Sequence, residues 1–172
     1  TQMGAGRFYT PRRKSCENVV AAIQKNHPEV ETLRDANWAM LSEVRDTVSE
    51  EDLLRAKYVL GEKDRVLAVC DALEKDDYET VGEKMYETHE GLSKDYEVSC
   101  AELDFLNDIA KSCGVTGSRV MGGGFGGCTI NLVREELYEN FITTAKKEYK
   151  EKFGKEPVVI DVVIGDGARK LC

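Results

Sequence analysis

The sequence predicts an α+β domain in which helices pack on one face of a small antiparallel or mixed sheet. Three observations predict it. Apolar residues recur at helical spacing through the first two thirds of the chain, then switch to alternation around residues 117–133. A second β-like run, Val158 to Ile164, follows one more helical segment near the end. The resulting order, helices and then strand, strand, helix, strand, segregates the two kinds of element as α+β folds do.

Taken in order, Thr1 to Phe8 reads as a cut end or an interdomain linker, and 9–172 as the domain. A helix is expected from Pro11, well placed for a first turn, with Cys16, Val19, Val20 and Ile23 on one face. His27-Pro28 ends it. One helical turn is expected between Asp35 and Leu41, with Trp38 as a packing anchor. Ser49 offers an N-cap for a long helix whose stripe runs through Ala56, Val59, Leu60, Val66, Leu67, Cys70 and Leu73. Gly61 interrupts that stripe at about 1 kcal/mol relative to alanine, which suggests close packing there. The next helix starts near Tyr78 and carries Val81, Met85, Leu92 and Tyr96. Another begins at a capping box, Ser99 to Glu102, buries Leu103, Leu106, Ile109 and Cys113, and stops at Gly114. After the two strands, a helix from about Glu135 presents Leu137, Phe141, Ala145 and Tyr149, with Gly154 beyond its end.

Composition narrows the function. A net charge of −8 over 172 residues argues against a general nucleic-acid or anionic-membrane surface. No apolar run reaches the length of a membrane span and no signal-peptide pattern opens the chain. Six scattered cysteines and two histidines offer no zinc-ligand spacing, and most of the cysteines lie in apolar segments. The expectation is a reduced, cytoplasmic protein.

The chemistry concentrates in Gly122, Gly123, Gly124, Phe125, Gly126 and Gly127. Glycine is costly to order, so five in six positions mark a backbone that needs positive φ or close approach to a ligand or a neighbouring loop. The spacing satisfies a dinucleotide fingerprint, but a β-patterned run follows where that fingerprint needs a helix. A Walker loop fails for want of a following Lys-Ser/Thr pair. What remains is a hairpin-like loop whose amides can face an anion, or a tight packing turn.

The run Gly117-Ser-Arg-Val-Met-Gly-Gly-Gly-Phe-Gly-Gly-Cys-Thr129 closely resembles the third motif of galactokinases, within the GHMP group of small-molecule kinases. Asp77-Tyr-Glu-Thr-Val-Gly82, the stretch from His89 to Cys100 and Asp166-Gly-Ala168 resemble the C-terminal half of that family in the same order. The resemblance covers about Tyr9 to Cys172. It implies a ferredoxin-like C-terminal domain with added helices, ATP and Mg2+ as cosubstrate and cofactor, and galactose phosphorylated at its anomeric hydroxyl. It also implies that the sugar-recognition motif, the serine-rich phosphate loop, the catalytic aspartate and the magnesium ligands belong to a missing N-terminal kinase domain, so that the chain alone is inactive. An interdomain face left bare in this way could pair two copies.

Tyr9, with Arg12-Arg13, resembles the family element whose tyrosine approaches the sugar; the alternative is an aromatic docked on its own domain. Arg119 could add charge beside the glycine run. His89 reads as a satisfied packing residue, Cys128 as a buried strand residue, and Asp95, Glu97 and Asp161 as paired or solvated carboxylates. From another functional class, a non-catalytic galactose- or ATP-binding module of the sensor type would carry the same features.

Overall fold

The computed structural model describes residues 5–165 and 167, with side chains from Tyr9 onward. Six helices and two strands follow in the order α1 (Ala5–Ile23), α2 (Trp38–Glu43), α3 (Glu50–Leu73), α4 (Tyr78–Lys94), α5 (Ala101–Ser112), β1 (Gly117–Met121), β2 (Cys128–Leu132) and α6 (Glu135–Phe153). The α+β expectation holds, as a helix-rich domain around a two-stranded antiparallel sheet.

Local signals explain most boundaries. Asn37, Ser49 and Asp77 cap α2, α3 and α4, each side chain accepting from a backbone N–H three residues on. Gly114 and Gly154 leave α5 and α6 at φ +72°, the left-handed geometry that ends helices. One core joins α1, the 30–44 segment and α3 through Val19, Ile23, Val30, Leu41, Ala56 and Leu60. A second lies under α5 and α6, around Ile109, Val115, Phe141 and Ala145. Each fully buried Leu or Ile contributes about 1.5–3 kcal/mol from removal from water. Between the two cores, α4 lies along β1 and α3.

Several expectations are corrected. The first helix begins at Ala5, so Pro11 lies inside it rather than in its first turn. The α3 stripe is buried only in its first half. Val66, Leu67 and Leu73 are at least half exposed. Cys70 and Cys128 are exposed, Cys128 because it sits at the rim of the hairpin. Trp38 is also half exposed, its ring N–H donating to Asp64 at 2.7 Å. The capping box at Ser99 is not made. Cys100 is the N-cap residue of α5, and the Ser99 hydroxyl donates instead to Asp104 at 2.6 Å. Gly61 meets only the flexible Arg65 side chain, whereas Gly82 and Gly91 sit where backbone or ring comes close.

The largest correction concerns Val158 to Ile164. Among the described residues this run pairs with no strand, and its apolar side chains are exposed, from Val159 at 37% to Ile164 at 96%. Of the resemblance, the Asp166 and Ala168 part lies outside the described residues.

Candidate functional site

The glycine loop closes the β1–β2 hairpin, strand–loop–strand as expected. Gly122 and the whole run Gly124–Gly127 have positive φ, from +56° at Phe125 to +113° at Gly126. Four consecutive positive φ values are affordable only to a glycine-rich chain. Phe125 is the exception, at a cost of roughly 1–2 kcal/mol. Such strain persists only where surroundings over-determine it, and here they do. Its amide donates to the Val98 carbonyl at 2.6 Å, its ring meets Tyr9 edge-on at 5.7 Å between centroids, and the Arg12 guanidinium lies 5.3 Å over it.

The loop divides into two kinds of glycine. A Cβ at Gly124 would fall 2.0 Å from the Val98 carbonyl oxygen, and one at Gly123 would fall 2.6 Å from the Tyr9 hydroxyl. These two are packing glycines. At Gly122, Gly126 and Gly127 nothing among the described residues lies within 4 Å of such a Cβ. The neighbour reading of the loop therefore describes Gly123 and Gly124, while Gly122, Gly126 and Gly127 leave space beside the backbone.

Arg12 locks the platform beneath. It is buried, donates through Nη2 to the Glu97 carbonyl at 2.6 Å and through Nε to the Tyr96 carbonyl, and lies 4.0 Å from the Glu97 carboxylate. Glu97, itself at φ +52°, also approaches Arg55, whose Nη1 donates to the Ser15 hydroxyl at 3.0 Å. Burial pushes the Tyr96 phenol up to about 12, with help from the adjacent Cys16 thiol, so it stays neutral. Arg12→Ala is expected to cost about 2–4 kcal/mol, since it removes two part-buried, charge-assisted hydrogen bonds to backbone carbonyls. It should also speed hydrogen exchange at the Phe125 amide, read by NMR, because the 96–98 acceptor loosens.

Other expected residues fall outside this cluster. Arg13 is exposed and pairs with Glu17, and Asp161 accepts from the Tyr138 hydroxyl. His89 is a buried packing residue as expected: Nδ1 accepts the Val120 N–H at 3.2 Å and Nε2 lies 3.1 Å from Asp104. Sequence reasoning missed Val98 and Glu97 as the loop's support. Their only signal was membership of the same resembling stretch. A groove of about 480 Å³ opens elsewhere, at the far end of the hairpin between Asp77, Glu79, Thr116, Leu132 and Arg134. Its Arg134 is ion-paired with Glu79, so the one cation among its described lining residues is already neutralised, and it lacks the open backbone of the glycine loop.

Comparison with known proteins places this arrangement. Residues 70–151 match the model described as GHMP kinases C terminal. Over nearly all of its length the chain is homologous to galactokinases. It is 39% identical over 165 residues to the galactokinase of Clostridium acetobutylicum, covering 95% of this chain and 42% of that protein. The human galactokinase is also 39% identical, with 95% and 40% covered. The crystal structure of Lactococcus lactis galactokinase complexed with galactose superposes with a TM-score of 0.78 at 26% identity, over 87% of this chain and 39% of that one. The chain thus spans about two fifths of the length of these relatives.

Proposed function

We propose that this chain forms one wall of a galactokinase-type site in which ATP phosphorylates galactose at its anomeric hydroxyl. The observation that carries this is the open, positive-φ backbone at Gly122, Gly126 and Gly127 beside Tyr9. Phosphoryl transfer depends on positioning and on charge stabilisation more than on covalent chemistry. A backbone without side chains can bring amide dipoles against a phosphate at no steric cost. Tyr9, held by Phe125 and Gly123, would present its hydroxyl to the sugar and its ring to the sugar's apolar face. Residues 9–172 would then act as one domain, with 1–8 leading into it.

Among the described residues no three His, Cys, Asp or Glu side chains converge, so no step is assigned to a metal held by this chain. The general base and the metal ligands would belong to the N-terminal kinase part of a longer protein, and the chain alone is expected to turn over no ATP.

The test is a hybrid in which this chain replaces the matching C-terminal part of the Clostridium acetobutylicum galactokinase. Galactose-dependent ATP turnover is expected. Gly126→Ala should raise the KM for ATP about tenfold or more by crowding the phosphates, an effect of about 1.4 kcal/mol. A folded hybrid without turnover, or an unchanged KM, would sink the reading. Tight galactose or ATP binding by the 172-residue chain alone, measured by calorimetry, would instead favour a non-catalytic binding module.

A further inference from the structure

Between Gly122 and Gly127 every position is glycine except Phe125, which holds the left-handed region at φ +56°. Glycine would occupy that region without strain, so a loop that served only to bare its backbone would have glycine here as well. Phe125 is not a core residue either, since it is only half-buried. The contacts of its ring supply the reason for keeping it.

Helix α1 clasps that ring. Tyr9 meets it edge-on at 5.7 Å between centroids, and Arg12 places its guanidinium 5.3 Å over it. Residues three apart share a helix face, so one face of α1 supplies both partners. The Tyr9 phenol lies at the same time against Gly123, where a Cβ would fall 2.6 Å from its hydroxyl. From below, the Val98 carbonyl accepts the Phe125 N–H at 2.6 Å, next to the Tyr96 and Glu97 carbonyls that hold Arg12. Tyr9 and the loop are thereby one packed unit. Phe125 stands at its centre, and Gly126 and Gly127 follow it directly in the chain.

We propose that Phe125 is a positioning residue that couples two ligand positions: a sugar against Tyr9 and a nucleotide phosphate against Gly126 and Gly127 each strengthen the binding of the other. This rests on the reading under Proposed function. The physical basis is the strain of holding a non-glycine residue at positive φ, which persists only while its surroundings keep it there. Either ligand, by touching Tyr9 or the loop backbone, favours the one arrangement in which ring, phenol and loop fit together. The first ligand meets the cost of ordering that unit, and the second binds a loop already set. Linkage makes the effect reciprocal, so the sugar tightens the nucleotide by the same factor as the nucleotide tightens the sugar. A glycine at 125 would let Tyr9 and the loop move separately, and the coupling would vanish.

The test compares the unaltered hybrid with its Phe125→Gly and Phe125→Tyr variants. Calorimetry gives the Kd of a non-hydrolysable ATP analogue with and without saturating galactose, and the Kd of galactose with and without the analogue. Tightening of about fivefold or more is expected in both directions for the unaltered hybrid and for Phe125→Tyr, which keeps the ring. In Phe125→Gly both ratios should fall below about twofold, because glycine accepts the backbone angle but holds nothing against Tyr9. The Tm of the chain alone should change by less than about 3 °C in Phe125→Gly, since relief of strain offsets the lost ring contacts. Should that variant unfold, Phe125→Leu takes its place, filling space without a ring for Tyr9 or Arg12, and the same loss of coupling is expected. Ratios near one in an active, unaltered hybrid overturn the coupling and leave the kinase reading standing. Ratios that survive undiminished in Phe125→Gly overturn the role of Phe125, whose ring then only packs. A hybrid that binds neither ligand overturns the kinase reading instead. Positioning by Phe125 is then decided on the chain alone, by nuclear Overhauser contacts between the Tyr9 ring and Gly123. Their loss in Phe125→Gly upholds it, and their persistence overturns it.

Discussion

Gly82→Ala should destabilise the chain by about 3 kcal/mol or more, the upper range for forcing atoms into a packed contact. A Cβ at Gly82 would sit 1.9 Å from the Thr116 carbonyl oxygen and 2.5 Å from its carbon. A Cβ at Gly117 would in turn sit 2.6 Å from the Gly82 Cα, so helix α4 and the start of β1 meet backbone to backbone. Neither partner can yield as a flexible side chain would. The helix would have to lift from the strand, taking the His89 contact to Val120 with it. Urea denaturation should show the midpoint falling at unchanged m-value. Gly61→Ala is the control. Its Cβ would meet only the Arg65 guanidinium, at 3.1 Å, and alanine is the better helix former, so a gain of up to about 1 kcal/mol is expected. A Gly82→Ala midpoint equal to that of the unaltered chain would show that α4 and β1 are not held as described.

This pair of glycines shows what the sequence could and could not convey. Helices were legible because period, caps and C′ glycines act within a few residues: Ser49, Gly114 and Gly154 mark ends that the structure reproduces. Gly61 stood out because it broke a stripe. Gly82 and Gly91 did not, although their missing side chains admit Thr116 and the Tyr58 ring. Which glycine is a packing glycine depends on partners far along the chain. The glycine loop was legible as a loop and Tyr9 as a sugar-facing residue only through resemblance, whereas the contact between them was not legible at all. The division into packing Gly123 and Gly124 and open Gly126 and Gly127 needed the Val98 carbonyl in place. The 158–164 run reads as a strand by composition, and that reading failed because a strand exists only against a partner, which the described residues do not supply.

Acidification should weaken the fold through His89, and its replacement should cost most at neutral pH. Burial pushes this imidazole below its ordinary range, outweighing the upward pull of Asp104, while Lys111 adds to the fall and Asp108 opposes it. The geometry gives the reason. Nδ1 must stay unprotonated to accept the Val120 N–H, so Nε2 carries the proton toward Asp104. With the folded pKa lowered, the unfolded chain binds the proton more readily. The stabilisation is fully present above the unfolded value of about 6.5 and is lost as pH falls through the folded one, at up to about 1.4 kcal/mol per pH unit. The other histidine, His27, is raised by Glu43 and titrates with the opposite sign, so it cannot mimic this slope. His89→Gln should lower stability by about 1–3 kcal/mol at pH 7.5, because the buried Val120 N–H loses its ring acceptor. It should also flatten the decline between pH 6.5 and 5. Denaturation midpoints across that range, compared between the two proteins, give the answer. Equal slopes would mean that His89 is not the group that titrates, and that β1 is anchored to α4 by the glycine contact alone.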